Sequence, residues 1–215
     1  MKALAIKSIL SFLDQLFPEA KGELQAHNTY ELCVAVILSA QSTDVSVNQV
    51  TPHLFKQYPD LQSLAKANIK DVENCISRLG LYHAKAKNIV GFANNVIAHF
   101  GGIIPSDMEA LISLPGVGRK CANVIQAECF NIPALAVDTH VARIAKRLGL
   151  VNENDSVLTI EKKLKKKINP KRWIKTHHQM IFFGRYLCQA RKPQCWRCPF
   201  IEHCFEKQKN YVSGA

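Results

Sequence analysis

Apolar residues recur at three- and four-residue intervals along almost the whole 215-residue chain, and nowhere do they alternate with period two long enough to make a strand. That pattern constrains the fold more than any other feature: it predicts an all-α protein. Leu4, Ile6, Ile9, Leu10, Leu13, Leu16 and Phe17 make one amphipathic face that stops at Pro18. The apolar run 32–40, behind Asn28 and Glu31 spaced as a capping box, marks a central helix. Further helices are expected over 45–55, over 68–79 with Gly80 as C-terminal glycine, and through Ile89 and Phe100 to Gly101. Ser106 and Glu109 form a second capping box, and helices follow over about 119–129, 140–148, 157–168 and 173–187.

With 47% hydrophobic and 21% charged residues, wholesale disorder and fibrous repeats are excluded. No apolar run reaches the ~18 residues of a membrane span. The opening Met1-Lys2-Ala3-Leu4-Ala5-Ile6-Lys7 resembles a leader, but Lys7, Ser8, Ser11 and Asp14 interrupt any apolar segment. The expectation is a cytoplasmic protein. Neither a repeat nor a low-complexity linker divides it; the best boundary is the extended stretch 131–133, with the first helix free to join either side.

Charge points to a partner. Lysine and arginine number 28 against 17 acids, a formal +11. Such an excess suits a polyanion, most often nucleic acid, although a merely basic surface gives the same number. Of the eight cysteines, Cys33, Cys75, Cys121 and Cys129 are scattered through apolar helical stretches and read as small hydrophobes. Cys188, Cys195, Cys198 and Cys204 fall within one short segment. In a reducing compartment that clustering reads as metal ligation. A single CxxC, with all four thiols in one loop, favours an iron–sulfur cluster; zinc and disulfides remain alternatives.

The strongest local signal is Leu114-Pro115-Gly116-Val117-Gly118-Arg119-Lys120 between two helices. Its glycines allow a tight hairpin that aims backbone N–H groups from a helix N-terminus at an anion such as a DNA phosphate, without reading bases. The plainer reading is an ordinary helix–helix turn. Lys120 by default is a surface lysine, but desolvation beside a helix N-terminus would favour its neutral, nucleophilic amine. Asp138, in Val137-Asp138-Thr139-His140, reads as an N-cap and can be cap and catalyst together. The Lys162–Lys167 run is as readily a solvated helix face as a phosphate track.

LPGVGRK, VDTH, the upstream Leu38-Ser39-Ala40-Gln41-Ser42-Thr43-Asp44 and the terminal cysteines together resemble the endonuclease III family, helix-hairpin-helix DNA glycosylases with coupled AP-lyase activity. The resemblance implies two helical domains with a DNA-binding cleft between them. One spans 22–132 and holds the hairpin at about 108–127; the other, the iron–sulfur domain, joins 1–21 to 133–215. It implies a monomer, nucleoid-associated through DNA, that excises oxidised pyrimidines from duplex DNA and nicks abasic sites by β-elimination. Lys120 would attack the sugar and Asp138 would activate it or stabilise the sugar cation. Gly116, Val117, Gly118 and Arg119 would meet the backbone. A [4Fe–4S] cluster on Cys188, Cys195, Cys198 and Cys204 would shape the Arg191-Lys192 loop against DNA. Gln41 and Leu81, otherwise a helix-end polar residue and a core leucine, would fill the gap left by an extruded base. Cys121 stands where the family usually has threonine, which places a thiol beside the active-site helix start, where oxidation sensitivity is expected.

Overall fold

The computed structural model describes residues 4–211; residues 1–3 of the leader-like stretch and 212–215 at the end of the second domain lie outside them. The described residues are helical with no strand. They form two compact units, one of Glu23–Ile132 and one joining Met1–Gly22 to Pro133–Ala215. No helix among the described residues is long and apolar enough to cross a membrane.

The Glu23–Ile132 unit is built around α2 (Thr29–Leu38), in which every residue from Cys33 to Leu38 is buried. A helix with no polar face must be surrounded, and α3 (Asp44–Gln57), α6 (Tyr82–Phe100) and α8 (Arg119–Phe130) pack on it. Asn28 caps α2 by accepting from Glu31 N, as its spacing predicts, but the Glu31 carboxylate reaches back one residue further, to His27 N at 2.7 Å. The short α4 (Leu61–Ala65), with its Asp60–Ser63 capping box, carries too few apolar positions to show a period; it packs on α6. α5 (Ile69–Cys75) ends four residues earlier than expected, and the left-handed residue that follows is Leu81 rather than Gly80. α7 (Met108–Ile112) is capped by Asp107, not Ser106: one carboxylate oxygen accepts from Glu109 N and Ala110 N. A carboxylate beside two N–H groups outcompetes a neighbouring hydroxyl.

In the other unit α11 (Trp173–Tyr186) packs against α1 (Ile6–Leu16) and α9 (Thr139–Arg147), and α10 (Val157–Lys167) lies on α9. Gly184 of α11 permits this approach, since a Cβ there would lie 2.8 Å from His140 Nδ1. Asp14 of α1 takes a forked pair of bonds from Arg172, at 2.9 and 2.8 Å, and a third from Gln179. Phe200 is fully buried with its ring edge-on to Phe12 and Phe183, so the terminal loop is seated on both α1 and α11. In α10, Lys163 pairs with Asp155 and Lys165 with Glu161, Lys162, Lys166 and Lys167 are exposed, and Leu164 points into the core.

Candidate active site and nucleic-acid interface

Pro115 and Gly116 make the hairpin turn, closed by Val117 N donating to Leu114 O at 3.1 Å. Proline then glycine at the two central positions, with Gly116 at φ +76°, is the type II arrangement. A side chain at Gly116 would also strike the core, with Ile37 Cγ2 2.8 Å and Asn88 Cβ 2.9 Å from its Cβ. Pro115 sits over Gly91 of α6, and Val117 is buried. Val117 is therefore the internal anchor of the turn. Gly118 differs. It is the N-cap of α8 with an ordinary φ of −83°, no side-chain cap, and no atom within 4 Å of where its Cβ would be. Neither backbone strain nor packing requires glycine there. No side chain caps the first-turn N–H groups of α8, and Arg119 beside them is exposed.

Lys120 is the second residue of α8 and partly exposed, and Cys121 behind it is buried. Asp138 belongs to the other unit, at the end of the buried segment 134–137, whose Ala136 carbonyl meets His177 Nδ1 at 2.9 Å. It caps α9 through Oδ1, accepting from Val141 N at 2.8 Å. Asp138 is thus the N-cap that the sequence predicts, and its carboxylate is partly exposed. From the far part of α9, Arg143 donates to Gly184 O and twice to Cys188 O; Arg147 donates to Cys188 Sγ at 3.3 Å and Gln189 O at 2.9 Å, and pairs with Glu206. The helix that Asp138 caps is thereby fastened to the cysteine loop. Neither arginine carried a sequence signal, because helix periodicity does not distinguish an arginine bound to carbonyls from a solvated one.

Gln41 and Leu81 share an unusual backbone. Gln41 has φ +54° and Leu81 φ +59°, in the left-handed region that costs an L-residue roughly 1–2 kcal/mol. Leu81 is also 59% exposed, which excludes the core-leucine alternative. A large apolar side chain held in a strained backbone and pushed into solvent is a poor structural investment unless something covers it. Gln41 is exposed too, in the turn between α2 and α3.

Cys188, Cys195, Cys198 and Cys204 line one cavity with Arg147, Pro193 and Ile201 among their neighbours. Burial, with the neighbouring thiols adding to it, pushes the Cys198 thiol up to about 12 and raises Cys204 as well. Four thiols in mutual electrostatic range, three buried and Cys198 partly so, become thiolates when a cationic centre is placed among them. Among the described residues no group of three or more His, Cys, Asp or Glu side chains is drawn in around a single ion. Arg191 and Lys192 are exposed between the first two cysteines, Lys192 at φ +49°.

Residues 34–170 match the family model described as HhH-GPD superfamily base excision DNA repair protein, a class that the hairpin and the two helical units already outline. Endonuclease III of Bacillus subtilis (strain 168) is 45% identical over 209 residues, 97% of this chain and 95% of that protein. Endonuclease III of Escherichia coli (strain K12) is 38% identical over 94% of this chain and 95% of its own length. A solved structure of a trapped endonuclease III–DNA covalent intermediate superposes with TM-score 0.91 at 46% identity, covering 93% of this chain and 94% of that one. The chain belongs to the endonuclease III family of the HhH-GPD superfamily, a family whose members generally contain iron–sulfur centres.

Proposed function

We propose that this protein repairs duplex DNA as a glycosylase and AP lyase, removing damaged pyrimidines and nicking the abasic strand through a Schiff base on Lys120. The observation that carries the reading is Lys120 in the first turn of α8, directly behind a hairpin and a helix N-terminus that no side chain caps, in a chain whose relative has been captured covalently on DNA. A covalent intermediate needs a protein nucleophile, and an amine can attack C1′ while the base departs with the bonding electrons. The amine–sugar adduct opens to an imine, which acidifies the C2′ proton. Removal of that proton expels the 3′ phosphate, and water then hydrolyses the imine to release Lys120. Asp138, fixed by Val141 N, supplies the negative charge that the amine's lost proton and the developing sugar cation both require. Gly116, Gly118 and Arg119 position the backbone, and Gln41 and Leu81 replace the extruded base in the stack.

Cys188, Cys195, Cys198 and Cys204 are the residues that would hold a [4Fe–4S] cluster; their shared cavity and raised thiols support this. When bound, the cluster supplies a cross-link of the terminal loop, presenting Arg191 and Lys192. The domains divide accordingly, the hairpin unit within 22–132 and the iron–sulfur unit from 1–21 with 133–215. A DNA repair enzyme of this kind works in the cytoplasm, on the nucleoid.

Borohydride trapping tests the reading. Reduction during turnover should leave the enzyme covalently on DNA, with the adduct on Lys120. Lys120→Gln should bind DNA but neither trap, excise nor incise. Asp138→Asn should lose about 10² to 10⁴ in turnover, yet still trap slowly at an abasic site. Efficient trapping by Lys120→Gln would move the nucleophile elsewhere.

A further inference from the structure

Lys85, on the first turn of α6, is only 3% exposed and has no carboxylate partner among the described residues. An ammonium is costly to bury, so one retained without a counter-ion asks for a reason. Its hydrogen bond goes to Ser42 Oγ. Ser42 immediately follows Gln41, and Lys85 is four residues after Leu81, whose carbonyl accepts from Lys85 N at 3.0 Å. One residue therefore grips both turns, the Leu81 turn through its backbone and the Gln41 turn through its side chain. Those are the two turns whose exposed tips stand in the left-handed region at φ +54° and +59°.

We propose that Lys85 is the positioning residue of the base-replacing wedge, fastening the 39–43 turn to the start of α6 so that Gln41 and Leu81 enter the duplex as one preformed unit. The proposal rests on the reading of those two residues as stack fillers. Without the side-chain bond, the 39–43 turn is free to relax toward an ordinary backbone conformation and is no longer tied to the Leu81 turn, so insertion must first order it. Lysine suits the task because its long stem is buried while its head reaches a hydroxyl.

The test uses the full-length, cluster-loaded protein and compares single-turnover excision of a stacked lesion with cleavage of a pre-formed abasic duplex. Lys85→Met keeps the stem and removes the buried charge. It should slow excision about tenfold, the lower end for losing a charge-assisted hydrogen bond, and leave abasic cleavage within about twofold. Combined with Gln41→Ala it should add little to the single Gln41→Ala defect, because both act on one wedge. Ser42→Ala should show the same substrate bias and Ser42→Thr should restore parent behaviour, which keeps the test open if Lys85→Met folds poorly. Equal losses on both substrates, or a full multiplicative penalty in the double variant, would overturn the clamp. If Gln41→Ala itself treats the two substrates alike, the wedge reading fails and takes the clamp with it. If Gln41→Ala discriminates while Lys85→Met and Ser42→Ala do not, the clamp alone falls.

Discussion

The two hairpin glycines separate stability from binding. Gly116→Ala should damage the fold: alanine at φ +76° costs roughly 1–2 kcal/mol. Its Cβ would stand 2.8 Å from Ile37 Cγ2 and 2.9 Å from Asn88 Cβ, an overpacking that costs about 1–3 kcal/mol more. Asn88 is on α6 and Ile37 on the central α2, so neither can retreat far. The sum, about 2–5 kcal/mol, is a large part of the ~5–15 kcal/mol that holds a domain together. Gly118→Ala should shift stability by less than about 1 kcal/mol, because its φ is ordinary and its Cβ meets nothing. Its penalty should appear on DNA. A methyl at the mouth of α8 would hold a phosphate away from the first-turn N–H groups, and losing those charge-assisted bonds should weaken binding about 10- to 100-fold. Urea unfolding and fluorescence anisotropy with a duplex carrying a stable abasic analogue measure the two effects on the same samples. Parent-like affinity in Gly118→Ala would refute a backbone approach to DNA at α8. Parent-like stability in Gly116→Ala would refute the packing argument.

If the hairpin and the Arg191-Lys192 loop meet about four to six phosphates, log K against log salt should fall with slope roughly −4 to −5, and a flat response would contradict the electrostatic interface. Cys198→Ser should lower the iron content and yellow-brown colour of the purified protein, whereas Cys33→Ser, in the core of α2, should not; equal iron in both would sink the ligand assignment. The Arg172 guanidinium beside Asp14 holds that carboxyl well below the usual carboxylate range. A depressed folded value means the pair stabilises above the unfolded value of about 3.9 and loses its effect as pH falls below it. Asp14→Asn should therefore cost about 1–2 kcal/mol at pH 7, and the gap to the parent should close progressively below about pH 4; a pH-independent gap would contradict the ion pair.

Most helices were legible because burial on one face leaves a period in the sequence, and α2 because it has no other face. What sequence did not show is instructive. Residues 61–65 are too few to display a period, and the Asp107 cap was masked by a serine one position earlier. The turns at Gln41 and Leu81 were located only through family resemblance, since neither residue type signals a left-handed backbone; the surrounding helices impose it. Lys85 was invisible for a related reason. Lysine's ordinary place is the surface, and only packing reveals one that has been taken inside. The motifs, by contrast, were legible because they are local: a hairpin, a cap and a cysteine loop are each specified by neighbours in the chain.

The ion pair between Asp14 and Arg172 spans 158 positions, and it joins α1 to the residue that caps the start of α11. At ~5–20 residues per second, α1 leaves the ribosome roughly 8–30 s before the segment it must dock on. During that interval the continuous Glu23–Ile132 unit can complete its own core, whereas α1 displays Ile9 and Leu13 with nothing to cover them. Nascent chains are thus vulnerable at α1 until that later segment has been made. If Cys188, Cys195, Cys198 and Cys204 hold the proposed cluster, its loading follows all of these steps, and cells short of iron should accumulate molecules with a finished hairpin unit and an unfinished second one.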